Sequence, residues 1–268
     1  MNRAEKVQHS AHNGATAKRR IANKNDDAPA NSLVDRVIKA HGGRERWRAF
    51  NKVTVKVVTG GFLWGMKGFA IDNAPRTMTA ALRRQSMRIE PFGNPDWHLH
   101  YEPNRILIET RAGETIVEQE NTRSTFAGHV WETPWTPTQL AYFSAYAVWN
   151  YLNLPFLLAE PGLEVRAIPS INQEEIALKG LRARFPDYIH THSREQSFYF
   201  DESNLLRRID YEVEIAGNNP ATQLISEYVD VQGLKFPTKR RIFVRNEDGS
   251  PQPDRMPVSI DFFDFELG

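Results

Sequence analysis

From residue 52 onward the chain alternates apolar and polar positions with a period of two. Val53, Val55 and Val57 share one phase, as do Phe62, Trp64 and Met66, then Trp97, Leu99 and Tyr101, then Ile106 and Ile108. This pattern puts every second side chain on one sheet face and predicts strands between Lys52 and Glu120. Gly60-Gly61, Asn73-Ala74-Pro75, Gly93-Asn94-Pro95, Pro103-Asn104 and Gly113 punctuate the run. Connections this short join antiparallel neighbours, because a parallel crossover needs a much longer link. The alternation resumes at Ile176 to Phe185, His190 to Asp201, Leu205 to Ile215, Gln223 to Val231, Lys235 to Arg245 and Val258 to Leu267. In the last of these, Phe263, Phe265 and Leu267 take the opposite phase to Val258, Ile260 and Phe262. A β-bulge near Phe262-Phe263 reconciles the two.

Helical spacing appears in two places. Leu33, Val34, Val37 and Ile38 form one stripe after Pro29, and His41-Gly42-Gly43 ends that helix through a left-handed glycine. Arg44 to Phe50 adds a further turn anchored by Trp47 and Phe50. The second helix, Pro137 to Leu152, is long, aromatic and uncharged, opened by Pro137 and stopped by Pro155. Leu140, Ala141, Ser144, Ala145, Val148 and Leu152 make a small apolar face. Gln139, Tyr142, Phe143, Tyr146, Trp149, Asn150 and Asn153 make a face of rings with polar tips. Such a helix inside a β-rich chain predicts an enclosed apolar chamber, with Tyr142, Tyr146, Trp149 and Asn150 as its ligand-binding wall.

Composition narrows the chemistry. Of 268 residues, 40% are hydrophobic and 25% charged, ordinary for a chain that folds around a core. The absence of cysteine excludes disulfides, thiolate nucleophiles and thiolate metal sites. The first 25 residues carry six basic residues against Glu5, so this arm is +5 and the remainder, given a net charge of +1, is −4. A solvated arm is the ordinary reading of that charge, and it gives no strong nucleic-acid signal. No apolar run follows Met1 and none reaches the ~20 residues of a membrane span, so the expected location is cytoplasmic as written, or periplasmic if the true N-terminus differs.

Three segments resemble a known group. Ala40-His41-Gly42-Gly43 followed by Trp47 and a strand is similar to the opening of bacterial LolA/LolB-like lipoprotein-carrier domains and their uncharacterised relatives. Tyr199-Phe200-Asp201, a short turn and Leu205-Leu206-Arg207-Arg208 resemble a strand pair of that group, and Gly233-Leu234-Lys235-Phe236-Pro237-Thr238 resembles its late turn. The resemblance implies a strongly curved antiparallel β half-barrel whose concave face is capped by helices and accommodates acyl chains. The resulting expectation is an α+β fold, with a disordered basic arm at 1–30 and a single half-barrel domain at 31–268.

Titratable residues supply the remaining candidates. His98-Leu99-His100 and His190-Thr191-His192 each put two imidazoles on one strand face, a spacing that metal sites use. His98 and His100 alternate with Trp97, Leu99 and Tyr101, which directs them outward, so no metal and no cofactor is expected. His190 and His192 share phase with Arg194, Gln196, Phe198 and Phe200, making either histidine a candidate general base beside an anion-holding Arg194. Arg207 and Arg240 fall among apolar residues of their strands and need a carboxylate, a carbonyl or a ligand head group. Glu195, Asp201 and Glu227 are available as protein partners. No nucleophile elbow, phosphate loop or dinucleotide fingerprint occurs. The leading expectation is binding or carriage of a hydrophobic or lipid-like small molecule, with Arg194, Arg207 or Arg240 reading its head group. The alternatives are acid–base catalysis in the same cavity and a packed interaction module.

Overall fold

The computed structural model describes residues 30–70 and 72–268. The basic arm expected at 1–30 lies outside the described residues, apart from Ala30. Helices α1 (Ala30–Ala40) and α2 (Arg44–Arg48) lead into strand β1 (Lys52–Gly60), followed by the four-residue helix α3 (Leu63–Met66). Strands β2 (Arg76–Ala81), β3 (Met87–Glu90), β4 (Trp97–Glu102), β5 (Arg105–Thr110) and β6 (Thr115–Glu120) complete a first meander. After helix α4 (Pro137–Asn153) a second meander runs through β7 (Glu164–Gln173), β8 (Ile176–Arg184), β9 (Glu195–Phe200), β10 (Leu206–Val213), β11 (Asn219–Val231), β12 (Leu234–Val244) and β13 (Val258–Leu267).

Pairing of β1 with β13 fuses the two meanders into one 13-stranded, antiparallel, curved and unclosed sheet, with β6 at one edge and β7 at the other. α4 carries the chain from the first edge to the second, crossing the inner face against β2, β3, β4 and β5. This is the α+β half-barrel expected from the sequence. Val53, Val55 and Val57 are fully buried, as their phase predicts, and Leu33, Val34, Val37 and Ile38 of α1 are buried as well. Two of the motif segments meet in space: a Cβ on Gly42, which has φ +115°, would stand 2.2 Å from the carbonyl oxygen of Gly233. Both the positive φ and this close approach require glycine at position 42.

A capping box starts α4. The Thr136 hydroxyl accepts from the Gln139 amide at 3.2 Å, and the Gln139 side chain accepts from the Thr136 amide at 2.9 Å. Pro137 then occupies the first turn, where its missing N–H costs nothing. Nearly every side chain of the helix is buried, the mark of a helix surrounded by protein.

Three local expectations change. Phe62, Trp64 and Met66 do not form a strand: Gly61 turns the chain and α3 follows, burying the adjacent residues Leu63 and Trp64 while Phe62 stays exposed. The segment His190–Arg194 is loop, and the strand begins at Glu195. There the Gln85 amide takes the place of a ladder partner, bonding both the N–H and the C=O of His190 at 2.8 Å, and Thr191 turns its hydroxyl onto the Ser193 carbonyl. The bulge in β13 lies one or two residues later than expected. Lys56 pairs with Phe263 and Thr54 with Glu266, and Asp264 takes the positive φ of 53°.

Candidate functional site

A cavity of about 500 Å3 lies between α4 and the inner face of the sheet. Leu140, Phe143, Ser144, Ala147, Val148 and Tyr151 of α4 form one wall, and Met78, Ile89, Ile108, Ile242, Val258 and Ile260 contribute from the strands. Trp64, Trp131 and Trp135 add rings, while Ala70, Asp72 and Gly93 are exposed and mark the opening. Arg76 sits at this mouth in an ion pair with Asp72 at 2.5 Å. Its buried lining includes Tyr151, His192 and Tyr211.

The cavity thus opens along a stripe of α4 that takes Leu140, Ser144 and Val148 from the small face and Phe143 from the ring-bearing face. Tyr142, Tyr146, Trp149 and Asn150, expected as its wall, do not line it; their polar tips are spent on ties within the protein. Trp149 donates to the carbonyls of Ala81 at 2.8 Å and Arg84 at 3.1 Å, in the β2–β3 hairpin. Asn150 donates to the carbonyls of Tyr146 at 2.7 Å and His190 at 2.8 Å. The Tyr142 hydroxyl meets His190 Nδ1 at 2.9 Å, and that of Tyr146 meets His192 Nδ1 at 3.0 Å.

Of the two candidate bases, His192 reaches the cavity and His190 does not. His192 is closed on both nitrogens, because Tyr151 holds Nε2 at 2.7 Å. Its ring also stacks on Tyr211 with centroids 4.5 Å apart. Burial lowers its pKa from 6.5 to about 3, and that of His190 to about 4, with the Arg123 charge adding to both shifts. A neutral imidazole between two phenols gives one hydrogen bond and accepts one, which fixes the rings but leaves no nitrogen facing a substrate. Burial likewise raises the pKa of Tyr146 and Tyr211 well above the usual phenol value, so these hydroxyls stay protonated.

The arginines expected to read a head group lie elsewhere. Arg194 is exposed and paired with Asp187 at 2.8 Å, and Arg207 pairs with Asp201 at 2.6 Å, one of the partners the sequence offered. Arg240 is wholly buried and bonds the Gln223 side-chain oxygen at 2.8 Å and the Tyr151 carbonyl at 2.9 Å. Its guanidinium also lies over the Tyr151 ring at 4.6 Å. Burial without a carboxylate lowers its pKa to about 10, still charged at neutral pH. The sequence reading missed Arg123, which joins Tyr142, the Thr191 carbonyl and Glu214 at 3.2, 3.1 and 2.6 Å. Nothing in the local pattern around Thr122–Phe126 marks it, since its partners come from distant segments.

Solved structures share this architecture. A LolA superfamily protein from Nitrosomonas europaea superposes with a TM-score of 0.51 at 10% identity, over 90% of this chain and 94% of that one. The fold is LolA-like. A DUF1329 family protein from Desulfovibrio piger gives 0.51 at 8% identity, over 89% of this chain and 93% of its own. A provisionally assigned outer membrane lipoprotein-sorting protein domain from Vibrio parahaemolyticus gives 0.52 at 8%, with the same coverages. No protein-family model and no curated protein matches the sequence. The LolA-like fold therefore rests on backbone architecture, and the cavity under α4 on this chain's own residues. Among the described residues, no helix is long and apolar enough to cross a membrane.

Proposed function

We propose that the protein binds a hydrophobic or amphipathic small molecule of lipid-like character in the cavity beneath α4. The observation that carries this reading is the cavity itself, about 500 Å3 and walled mostly by aliphatic and aromatic side chains. Small-molecule sites occupy roughly 300–1,000 Å3, and each methylene removed from water contributes about 0.8 kcal/mol before association costs are met. An acyl or ring system would lie along Leu140, Ser144, Ala147 and Val148, with its polar end at Arg76 and Asp72 in the mouth. The shared fold of the provisionally assigned lipoprotein-sorting domain from Vibrio parahaemolyticus supports the same ligand class. Acid–base catalysis is the weaker reading, because His192, the one candidate base that lines the cavity, has both nitrogens occupied.

The test is native mass spectrometry of untagged protein from its own host, with organic extraction of what it carries. A single stoichiometric lipid-like species is the expected result. Protein that is empty and also fails to bind hydrophobic fluorescent probes would overturn the proposal and favour a packed interaction module.

A further inference from the structure

The outer face of the sheet carries a second constellation, on β4 and β5. Trp97 and Ile108 line the cavity, so the intervening positions His98, His100 and Glu109 point to the opposite face. The register sets His98 directly across from Glu109, and His100 lies two residues along the same strand. Nε2 of His98 stands 3.6 Å from a Glu109 carboxylate oxygen, and Nε2 of His100 stands 3.8 Å from the same oxygen. One donor atom from each residue fits within a 4.8 Å span.

His98 also lacks what a buried imidazole ordinarily has. The residue is 6% exposed, and its Nδ1 finds no hydrogen-bond partner among the described residues. Its Nε2 faces Glu109 from beyond hydrogen-bonding distance. A buried polar ring left unsatisfied is costly and calls for a bound group. We propose that His98, His100 and Glu109 form a site for a first-row divalent transition ion of the zinc type, separate from the cavity.

The ligand chemistry selects the ion. Two imidazoles with one carboxylate suit zinc and its first-row neighbours, whereas magnesium and calcium prefer all-oxygen shells. Donors about 2.0–2.1 Å from a tetrahedral ion stand about 3.3–3.4 Å apart, so small side-chain rotations close the distances seen here. Three protein ligands leave a coordination position for water or an exogenous group. Arg88 is the obstacle, because its Nη1 lies 3.1 Å from His100 Nε2 while the same guanidinium is held by Glu90 at 3.0 and 3.3 Å. Metal entry moves that guanidinium off His100, and Arg88 thereby weakens the site.

The full-length, untagged protein, stripped with chelator, is titrated with Zn2+ by calorimetry, and Co2+ absorption reports the ligand set. One ion per chain is expected. Glu109→Gln and His100→Ala should lower affinity by more than the roughly 10–100-fold typical of outer-shell changes, with unchanged melting in the absence of metal. Arg88→Ala should raise affinity several-fold, which a merely structural role for these residues would not do. Absence of stoichiometric binding, or equal binding by the His100→Ala/Glu109→Gln double variant, as ions held by His9 and His12 of the arm would give, overturns the proposal.

Discussion

The two faces of α4 are both buried and nearly adjacent in sequence, yet one is locked and the other is open. On the ring-bearing face, Tyr142, Tyr146, Trp149 and Asn150 each end in a hydrogen bond to another segment. These ties reach the β2–β3 hairpin on one side and the His190–His192 loop on the other, while Arg240 of β12 reaches the Tyr151 carbonyl. Ser144, Ala147 and Val148 face the sheet across empty space. The contrast shows why polar-tipped rings are used here in place of aliphatic side chains. They fix the height and rotation of the helix, so the small residues opposite cannot collapse onto the sheet and close the cavity. Tight packing on one side thus preserves room on the other.

The comparison breaks most severely if a tie is cut. Tyr146→Ala removes a fully buried ring and leaves His192 Nδ1 unpaired. It should cost about 3–5 kcal/mol in urea denaturation. A loss below about 1 kcal/mol would mean the ties do not hold the helix. Acid acts more gently, on this face through His192 and at the end of α1 through His41. Burial lowers the pKa of His192 to about 3 and of His41 to about 4, against 6.5 when unfolded. The unfolded chain therefore binds protons that the folded chain refuses, so stability is complete above pH 6.5 and declines as the pH falls below it. Each such imidazole should cost roughly 2 kcal/mol by pH 5. His192→Gln should flatten its share of that slope, and equal slopes in wild type and variant would remove His192 from the account.

How far these faces were legible follows from what periodicity encodes. Alternation at Val53, Val55 and Val57 identifies a buried face because a strand has only two faces and one must meet the core. The helix has a full circumference, and spacing alone groups its residues into faces without revealing which group meets empty space. The rings of Tyr142 and Tyr146 matched a cavity wall in composition, but their hydroxyls were matched by His190 and His192, from a loop whose placement depends on Gln85. His190–Arg194 alternated like a strand because a loop held by side-chain hydrogen bonds need not break the pattern. Glu109 joined His98 only through β4–β5 register, which short turns at Pro103-Asn104 suggest but do not assign to residue pairs.

The sharpest test of the open face has the smallest effect on stability. Ala147→Leu extends a side chain from α4 into the cavity with little loss of helix propensity. If the space is real, the added methyls fill it and stability rises by about 0.5–1 kcal/mol, as cavity-filling changes commonly do. The same substitution occupies the middle of the proposed acyl path, so binding of hydrophobic probes should fall at least tenfold while the fold is retained. In a helix face already in contact with the sheet, the larger residue would instead strain the core by about 1–3 kcal/mol. The sign of one stability change, read beside one binding measurement, therefore separates an open chamber from a closed core. Ser144→Leu, one turn earlier on the same wall, should repeat both signs if the chamber runs along the helix rather than forming an isolated void at Ala147.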